Sequence, residues 1–124
     1  DRFQGGFRNF AAIVGLQNSI SFLTGLGIAN IRERIIGLAN LLREELAKIP
    51  GVILYGPEDP AKRTSIVSFL VSGKSPQNMV QQLERQGIIL AVREISDQKL
   101  VRASPHFFNT EKEILRLVDL IKKL

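Results

Sequence analysis

Apolar positions recur about every 3.6 residues along two early segments of the chain. This spacing predicts a first helix over about residues 8–24 and a second over about residues 30–48. Asn30 and Glu33 have the spacing of a capping box at the start of the second helix. Pro50 ends it, because proline cannot continue a helix. The chain therefore opens with two consecutive helices.

Shorter apolar runs follow, and each is bounded by glycine, proline or polar residues, as is typical of strands. They cover residues 52–55, 65–71, 88–94 and 99–104. Ser75 before Pro76 predicts the start of a helix between the second and third strands, and Gly87 predicts its end. Thr110 and Glu113 form a T-x-x-E capping box in front of the last apolar stripe, which predicts a C-terminal helix.

The predicted order is α-α-β-β-α-β-β-α. It favours an α/β (α+β) fold, a two-layer sandwich in which helices cover a short, antiparallel or mixed four-stranded sheet. We treat the chain as one domain, with a helical lead-in over residues 1–50 and an α/β core over residues 51–124. Because the first two helices precede every strand, they need a surface to lie against, either the back of this sheet or a second domain.

The composition is that of an ordinary globular domain, with 124 residues of which 44% are hydrophobic and 23% charged. No apolar run reaches the roughly 18 residues of a membrane span, and no signal-peptide pattern is present. We therefore expect a cytoplasmic protein with no membrane partner. Cysteine is absent and there is one histidine, which excludes disulfides and thiolate chemistry within this chain and argues against a metal site.

Two arginines follow apolar runs in the second half of the chain. Arg93 comes after residues 88–92, and Arg102 comes after Leu100 and Val101. A guanidinium at the end of a buried strand is costly unless an anion meets it, because it is always charged and its rigid fork matches a carboxylate or phosphate. The two arginines therefore predict a small-anion site.

Residues 102–110 read R-A-S-P-H-F-F-N-T and are followed by Glu113. Together with residues 87–93 upstream and residues 3–9 near the start, this segment resembles the C-terminal signature of the class V aminotransferase-fold enzymes. That family of pyridoxal-phosphate (PLP) proteins includes cysteine desulfurases, kynureninases and isopenicillin N epimerase-like proteins. The resemblance extends over nearly the whole chain.

The resemblance implies that the chain is the small C-terminal domain of a longer PLP-dependent enzyme, which acts on an amino acid and forms a homodimer. In the family, the lysine that forms the Schiff base, the aspartate that pairs with the pyridine nitrogen and the ring that stacks on the cofactor belong to the preceding large domain. The expected partners are therefore that large domain and an amino-acid substrate. The chain alone is expected to be inactive and to contain no catalytic residue.

In the family, the arginine of the R-A-S element anchors the substrate α-carboxylate, which implies this role for Arg102. A bidentate guanidinium can hold an amino acid so that one Cα bond stands perpendicular to the cofactor ring. Arg93 matches the arginine that ends the preceding strand, near the same pocket. The alternative for Arg93 is a salt bridge with Glu94 or Asp97.

Gly5, Gly6 and Arg8 are candidates for binding the cofactor phosphate, because free backbone amides before a helix can bind phosphate. In many members a threonine of this loop reaches the cofactor phosphate of the partner subunit, and Phe7 stands at that position here. The cysteine desulfurases carry a catalytic cysteine in a G-H-H-C-like loop just after the first arginine-bearing strand. Residues 94–98 read E-I-S-D-Q instead, which excludes desulfuration by that route.

His106 is the one histidine, and imidazole suits acid–base chemistry near neutral pH. Its position between Pro105 and Phe107 nevertheless favours a packed or backbone-bonded loop residue. Asn109 and Thr110 are explained by a turn and a helix cap.

Two other classes of protein compete with this interpretation. The net charge of +5 and the pI near 10.0 are compatible with a nucleic-acid-binding module, but the 17 Lys and Arg are spread along the chain and no nucleic-acid motif is present. A regulatory amino-acid-binding domain could use the arginine pair, but its expected βαββαβ order does not match. Within the PLP interpretation, aminotransferase, epimerase and lyase reactions all stay open, because proton delivery at the cofactor is chemistry of the large domain.

Overall fold

The computed structural model describes residues 9–124 of the chain. Its helices are α1 (Phe10–Leu26), α2 (Ile28–Ala47), α3 (Pro76–Arg85) and α4 (Glu111–Lys122), and its strands are β1 (Val52–Tyr55), β2 (Val67–Val71), β3 (Ala91–Ile95) and β4 (Gln98–Ala103). A short 3-10 helix, Pro60–Lys62, lies in the loop between β1 and β2. The predicted order of helices and strands is confirmed.

The chain forms two compact units that divide inside α2. The first unit ends at Arg32 and contains α1. The second unit, Glu33–Leu124, contains the rest of α2, the whole sheet, α3 and α4. The candidate site described below belongs entirely to this second unit.

The junction between α1 and α2 differs from the prediction. Gly27 follows α1 with a φ of 85°, a left-handed conformation that favours glycine. α2 begins immediately afterwards at Ile28, so the predicted cap at Asn30 and Glu33 is wrong. Asn30 already lies inside the helix, where its Nδ2 donates to the carbonyl of Leu26. A single glycine therefore ends one helix and admits the next without a separate capping loop.

None of the 17 residues of α1 is buried, although most of them are apolar. No charged residue occurs from Asn9 to Ile31. Within the described part of the chain, no single helix is long and apolar enough to cross a membrane. The pair α1 and α2 meets those criteria only when the two helices are taken together across the bend between them.

The sheet has the strand order β1-β2-β4-β3, and every neighbouring pair is antiparallel. β3 and β4 form a hairpin, and β4 also pairs with β2, so β4 is a central strand and β3 an edge strand. Phe69 of β2 lies opposite Leu54 on one side and Val101 on the other. Of the two arrangements left open by the sequence, the structure therefore has the antiparallel one.

One face of the sheet carries the hydrophobic core. Residues opposite each other in register share a face, so Leu54, Phe69 and Val101 point the same way, into the core cluster. The buried residues of the three helices join the same cluster: Leu38, Ala39, Leu42, Leu46, Met79, Leu83, Ile114, Leu117, Val118 and Ile121. α2, α3 and α4 therefore cover one face of the sheet, and the predicted two-layer sandwich is confirmed.

The opposite face carries both arginines singled out in the sequence. Arg93 lies opposite Leu100, and Arg102 lies opposite Ala91. Val101, between Leu100 and Arg102, points into the core, and successive strand residues point to opposite faces. The other four residues therefore share the face away from the three helices. We call this face, defined by Ala91, Arg93, Leu100 and Arg102, the arginine face.

β3 begins at Ala91, whereas the sequence predicted a strand from residue 88. In the observed register, a strand that began at Ile88 would pair Ile88 with Pro105, two residues beyond Ala103, where β4 ends. Proline has no N–H to donate to a ladder, so pairing stops at this end of the hairpin.

The turn between β3 and β4 is also tighter than predicted. The expected loop over residues 95–98 is a two-residue turn, Ser96-Asp97, with φ angles of 48° and 63°. Positive φ at both central residues is the signature of a type I′ turn, whose twist matches that of the strands it joins. The two strands consequently pair right up to the turn, which fixes their register.

Candidate functional site

The hairpin brings the two arginines together. Arg102 comes two residues after Leu100, the direct partner of Arg93 across the hairpin. Arg93 and Arg102 are therefore diagonal neighbours on one face. In antiparallel sheets such neighbours lie about 7–8 Å apart, within reach of long side chains.

Arg102 is the better sheltered of the two arginines. It lies one residue before the end of the central strand β4, and its neighbours on the adjacent strands, Ala91 and Ser68, are both small. The side chain is half-buried. Its Nε is shielded from solvent and has no hydrogen-bond partner among residues 9–124, a property that it shares with the Nε of Arg43. A shielded guanidinium N–H without an acceptor is costly, so this atom requires an explanation.

The sequence predicted that Arg93 ends a buried strand, and this prediction is wrong. β3 is an edge strand, and Arg93 is exposed. Its Nη1 donates to the carbonyl of Val92 at 3.0 Å. The alternative salt bridge is wrong as well, because no ion pair in the described chain joins Arg93 to Glu94 or Asp97. Glu94 points to the other face of the sheet, since neighbouring strand residues alternate.

The loop after Arg102 is held by packing and by a turn. The backbone N–H of His106 donates to Oδ1 of Asn109 at 2.8 Å. The imidazole stacks on Phe108, with ring centroids 4.6 Å apart, and its centroid lies 4.5 Å from that of Phe107. Among the described residues, no hydrogen bond involves the ring nitrogens of His106. Because His106 is itself exposed, these are the ring contacts of a surface loop residue.

Thr110 and Glu113 form the predicted capping box. Oγ1 of Thr110 accepts from the N–H of Glu113 at 3.3 Å, and Oε2 of Glu113 accepts from the N–H of Thr110 at 2.8 Å. These bonds stabilise the ionised carboxylate and lower the pKa of Glu113. The backbone N–H of Thr110 has the largest effect, followed by the Asn109 amide. The cap fixes where α4 begins and so fixes the end of the loop after Arg102.

An ion pair that no sequence pattern predicted connects the loop after Arg102 to α2. Arg34 pairs with the carboxylate of Glu111, and its Nη2 also donates to the carbonyl of Asn109 at 2.9 Å. The hydrogen bond from Arg34 lowers the pKa of Glu111, and the same bond raises the pKa of Arg34. The partners lie 77 positions apart in the chain, so only the fold brings them together.

A second pair of arginines holds the loop between β1 and β2. Nη2 of Arg43 donates to the carbonyl of Ile66 at 2.7 Å, which ties this loop to α2. Arg63 donates to the carbonyls of Pro57 and Glu58 within the loop. Burial and the nearby charge of Arg63 lower the pKa of Arg43. All of these bonds are to backbone carbonyls, as is usual for arginines that hold a loop, and the Nε of Arg43 lacks a partner among the described residues.

A cavity of about 200 Å³ lies on the helix side of the sheet, where the α3–β3 connection and the start of α4 meet. Leu42, Ser104 and Leu117 are among its lining residues, and neither Arg93 nor Arg102 lines it. Ligand pockets usually measure about 300–1,000 Å³. A second cavity, of about 410 Å³, lies between α3 and the end of α4, and neither Arg93 nor Arg102 lines it. The candidate anion site is therefore the arginine face, whose two arginines line neither cavity.

The arginine face is poor in aromatic rings. Tyr55 lies opposite Ser68, which places it on this face, and it is the single aromatic residue there among the described strand residues. A sheet that binds nucleic acid uses several displayed aromatic side chains for stacking. This face does not favour the nucleic-acid alternative.

Gly5, Gly6, Phe7 and Arg8 lie outside the described residues, and the expected contact with a cofactor phosphate lies there too. Every lysine of the chain lies within the described part and is exposed. Over residues 9–124, no group of three or more His, Asp or Glu side chains is placed to hold a metal ion.

A sequence model of the family "Aminotransferase class-V" matches residues 1–117. The chain belongs to the class V aminotransferase family. The resemblance noted in the sequence is thereby confirmed, and so is the enzymatic character of the family. A probable cysteine desulfurase of Xylella fastidiosa is 28% identical, with 99% of this chain and 31% of the relative covered. The isopenicillin N epimerase of Amycolatopsis lactamdurans is 32% identical, with 96% of this chain and 30% of the relative covered.

Solved structures show the same fold. A cysteine desulfurase from Thermococcus onnurineus NA1 matches with a TM-score of 0.91 at 24% identity, covering 98% of this chain and 32% of that one. A mutant of C-DES with glycine covalently linked to its PLP cofactor matches with a TM-score of 0.82 at 27% identity, covering 99% of this chain and 31% of that one. This class V aminotransferase chain thus spans 30–32% of the length of these four relatives.

Proposed function

We propose that this chain is the C-terminal, substrate-binding domain of a PLP-dependent class V enzyme that acts on an amino acid, and that Arg102 binds the substrate α-carboxylate. The proposal rests on the guanidinium of Arg102, which is half-buried on the arginine face and whose shielded Nε has no acceptor in the described part of the chain. The family match over residues 1–117 supports the class of enzyme.

The chemistry of Arg102 suits a carboxylate better than a point anion. Its two Nη groups can donate two hydrogen bonds to the two oxygens of a carboxylate, and such bidentate pairs fix orientation as well as position. Its direct neighbours on the adjacent strands, Ala91 and Ser68, both have small side chains. Arg102 makes no ion pair within the described chain, so its charge is available to a ligand.

Arg93 has a supporting role in this proposal. As the diagonal neighbour of Arg102, it adds a second positive charge to the same face. Its exposed position on an edge strand gives it more solvent screening and a weaker hold on an anion than Arg102 has. We therefore infer that Arg93 attracts the substrate anion and that Arg102 fixes it.

The described residues do not form a site for the cofactor itself. PLP, when bound, serves as the electron sink for a bond broken at the substrate Cα. The lysines of this chain all lie exposed on its surface. Lys123 lines a cavity of about 410 Å³ formed by α3 and the end of α4, on the opposite side of the sheet from Arg93 and Arg102. We therefore place the Schiff-base lysine in the remainder of a longer polypeptide and expect the chain alone to be inactive. Its own contribution is to orient the substrate through the carboxylate.

The absence of cysteine narrows the reactions that this chain can support. Several relatives are cysteine desulfurases, but this chain contains no cysteine. The segment that corresponds to their cysteine-bearing loop is occupied here by the two-residue turn Ser96-Asp97. A cysteine of this chain cannot attack a substrate, so we propose an aminotransferase, epimerase or lyase reaction.

The experiment is the steady-state kinetics of Arg102→Ala in the longer enzyme, with Arg102→Lys as the conservative variant. Loss of a charged bidentate contact of about 1.5–3 kcal/mol raises KM roughly 10-fold to 150-fold, while the PLP absorbance stays unchanged. Lysine recovers part of the loss, because it keeps the charge but not the fork. Arg85→Ala, at the exposed end of α3, is the control. An unchanged KM in Arg102→Ala would assign this arginine a purely structural role.

A further inference from the structure

Arg43 of α2 and Arg63 of the β1–β2 loop place two half-buried positive charges beside the same stretch of backbone. Arg63 donates to the carbonyl of Pro57 at 2.9 Å and to that of Glu58 at 2.7 Å. A Cβ added to Gly56 would lie 3.6 Å and 3.8 Å from the two Nη atoms of Arg43. The two guanidiniums therefore lie along consecutive residues of one loop.

Neither of these two arginines forms an ion pair among residues 9–124, and every acceptor that they bind there is a backbone carbonyl. The acids of the same loop are Glu58 and Asp59. Asp59 pairs with Lys62, and the exposed side chain of Glu58 forms no ion pair in this part of the chain. Both guanidinium charges therefore have no counter-ion within the described residues.

The two like charges also act on each other. Burial, and then the charge of Arg63, lower the pKa of Arg43, as expected for a cation that is partly withdrawn from water near a second cation. The Nε of Arg43 is shielded from solvent without a hydrogen-bond partner in the described chain. A guanidinium in such surroundings is costly unless an anion meets it. An anion beside both arginines would offset the burial and the repulsion together.

The two arginines retain donors for such an anion. The Nη1 atoms of both form none of the hydrogen bonds within residues 9–124. The carbonyl of Ile66, which Arg43 binds, lies three residues after Arg63. The backbone N–H groups of Thr64 and Ser65, between these two residues, donate to no backbone carbonyl of the described chain. Two guanidiniums and a short run of backbone amides therefore lie together.

The number of charges identifies the class of anion. A carboxylate neutralises one guanidinium, whereas a phosphate group carries between one and two negative charges near neutral pH and offers at least three acceptor oxygens. Arginine forks bind phosphate in the bidentate manner in which they bind a carboxylate, and backbone N–H groups bind it as well. Two arginines with no counter-ion therefore match a phosphate group better than a single carboxylate.

We propose that Arg43 and Arg63 form a second anion site, which binds a phosphate group between α2 and the β1–β2 loop. The site is separate from the arginine face, because α2 covers the opposite face of the sheet. It lies within the second compact unit, Glu33–Leu124, and involves neither PLP nor Arg102. The inference therefore goes beyond the proposed function and does not depend on it. The phosphate group belongs either to inorganic phosphate or to a phosphate monoester, and the test separates these two sources.

The test is a titration of the full, ¹⁵N-labelled chain with inorganic phosphate, followed by NMR near neutral pH with the ionic strength held constant by chloride. We expect the largest amide shifts at Gly56, Thr64 and Ser65, and saturation with a Kd of about 1 mM or tighter. Glycerol 3-phosphate is titrated in the same way, and the tighter binder of the two identifies the source of the phosphate group. Acetate is the carboxylate control, and we expect it to bind at least about tenfold more weakly.

Four variants locate the site. Arg43→Gln and Arg63→Gln should each weaken phosphate binding at least about tenfold, and Arg63→Lys should recover part of the loss, because it keeps the charge but not the fork. Arg85→Gln removes the same charge from the exposed end of α3 and is the matched control. Its affinity should stay within about twofold of that of the unchanged chain, because a distant exposed charge is screened by salt.

Three results would overturn the proposal. The first is the absence of saturable shifts at Gly56, Thr64 and Ser65 in the unchanged chain, a result that does not depend on whether any variant folds. The second is acetate binding as tight as phosphate binding, which would contradict the choice of ligand. The third is phosphate binding that Arg102→Gln abolishes and Arg63→Gln leaves unchanged, which would assign the phosphate to the arginine face.

Discussion

Arg102 and Arg93 are diagonal neighbours on the same face of the β3–β4 hairpin, and the hairpin turn fixes the register that makes them so. A slip of one residue would move one of the arginines to the core face, because side chains alternate along a strand. The geometry of two turn residues, Ser96 and Asp97, thus controls whether two positive charges can act on one anion.

The first prediction concerns the coupling between the two arginines in the longer enzyme. Arg93→Ala is expected to raise KM by a factor of about 2 to 5, equivalent to roughly 0.5–1 kcal/mol for an exposed charge. The effect of the Arg93→Ala/Arg102→Ala double variant should be smaller than the product of the single effects, because both side chains act on one anion. Lys99→Ala is the control, since Lys99 lies on the adjacent strand and points to the other face. Strictly multiplicative effects would show that the arginines act independently.

The second prediction concerns the hairpin turn. Ser96 has a φ of 48°, where a β-branched side chain is strained and asparagine is tolerated. Ser96→Val should lower the free energy of unfolding by about 1–2 kcal/mol, and Ser96→Asn should maintain or raise it. Urea unfolding with an unchanged m value measures both. Equal stability of the two variants would mean that the turn does not hold this conformation in solution.

The third prediction concerns the cap of α4. Thr110→Ala removes the side-chain acceptor for the N–H of Glu113 and should cost about 0.5–2 kcal/mol of stability. Thr110→Ser retains the hydroxyl and should recover most of the loss, as measured by urea unfolding. If serine destabilises as much as alanine, the methyl group rather than the cap bond is responsible.

The fourth prediction concerns acid stability. Glu111 and Glu113 both have a folded-state pKa below the ordinary value of 4.5, because Arg34 donates to the first and the Thr110 N–H to the second. Their contribution to stability is therefore fully present above the ordinary pKa and is lost as the pH falls through the folded-state pKa.

The thermal midpoint of this chain should consequently fall between about pH 6 and pH 3, and Glu111→Gln should reduce that fall. Glu84→Gln is the control, since the Glu84 side chain forms no ion pair among the described residues. A pH dependence that Glu111→Gln leaves unchanged would count against the Arg34–Glu111 pair.

The fifth prediction concerns the core. Phe69 is 0% exposed and lies on the core face between β1 and β4. Phe69→Ala should lower the free energy of unfolding by about 3–5 kcal/mol, through lost burial and the cavity it leaves. Phe108→Ala removes the same side chain from a position that is 71% exposed and should cost less than about 1 kcal/mol. Similar losses in both variants would contradict the described packing.

Features set by neighbouring residues could be predicted well. Ser75 and Pro76 start α3, and the T-x-x-E box starts α4, because a cap is made by a side chain and a backbone amide three positions apart. The cap predicted at Asn30 was wrong, because α2 begins two residues before Asn30. A left-handed Gly27 ends one helix and lets the next begin at once, and no periodic pattern distinguishes this from a short loop.

The order of helices and strands could be predicted from the residue pattern, and the R-A-S-P-H-F-F-N-T segment was enough to point to the class V aminotransferase family. Three features depend on the folded arrangement: Arg93 and Arg102 share a face, Arg93 lies on an edge strand, and Arg34 reaches a partner 77 positions away. The physical reason is the range of the forces involved. Capping and periodicity act within a few residues, whereas register, burial and ion pairing depend on which distant segments the folded core brings together.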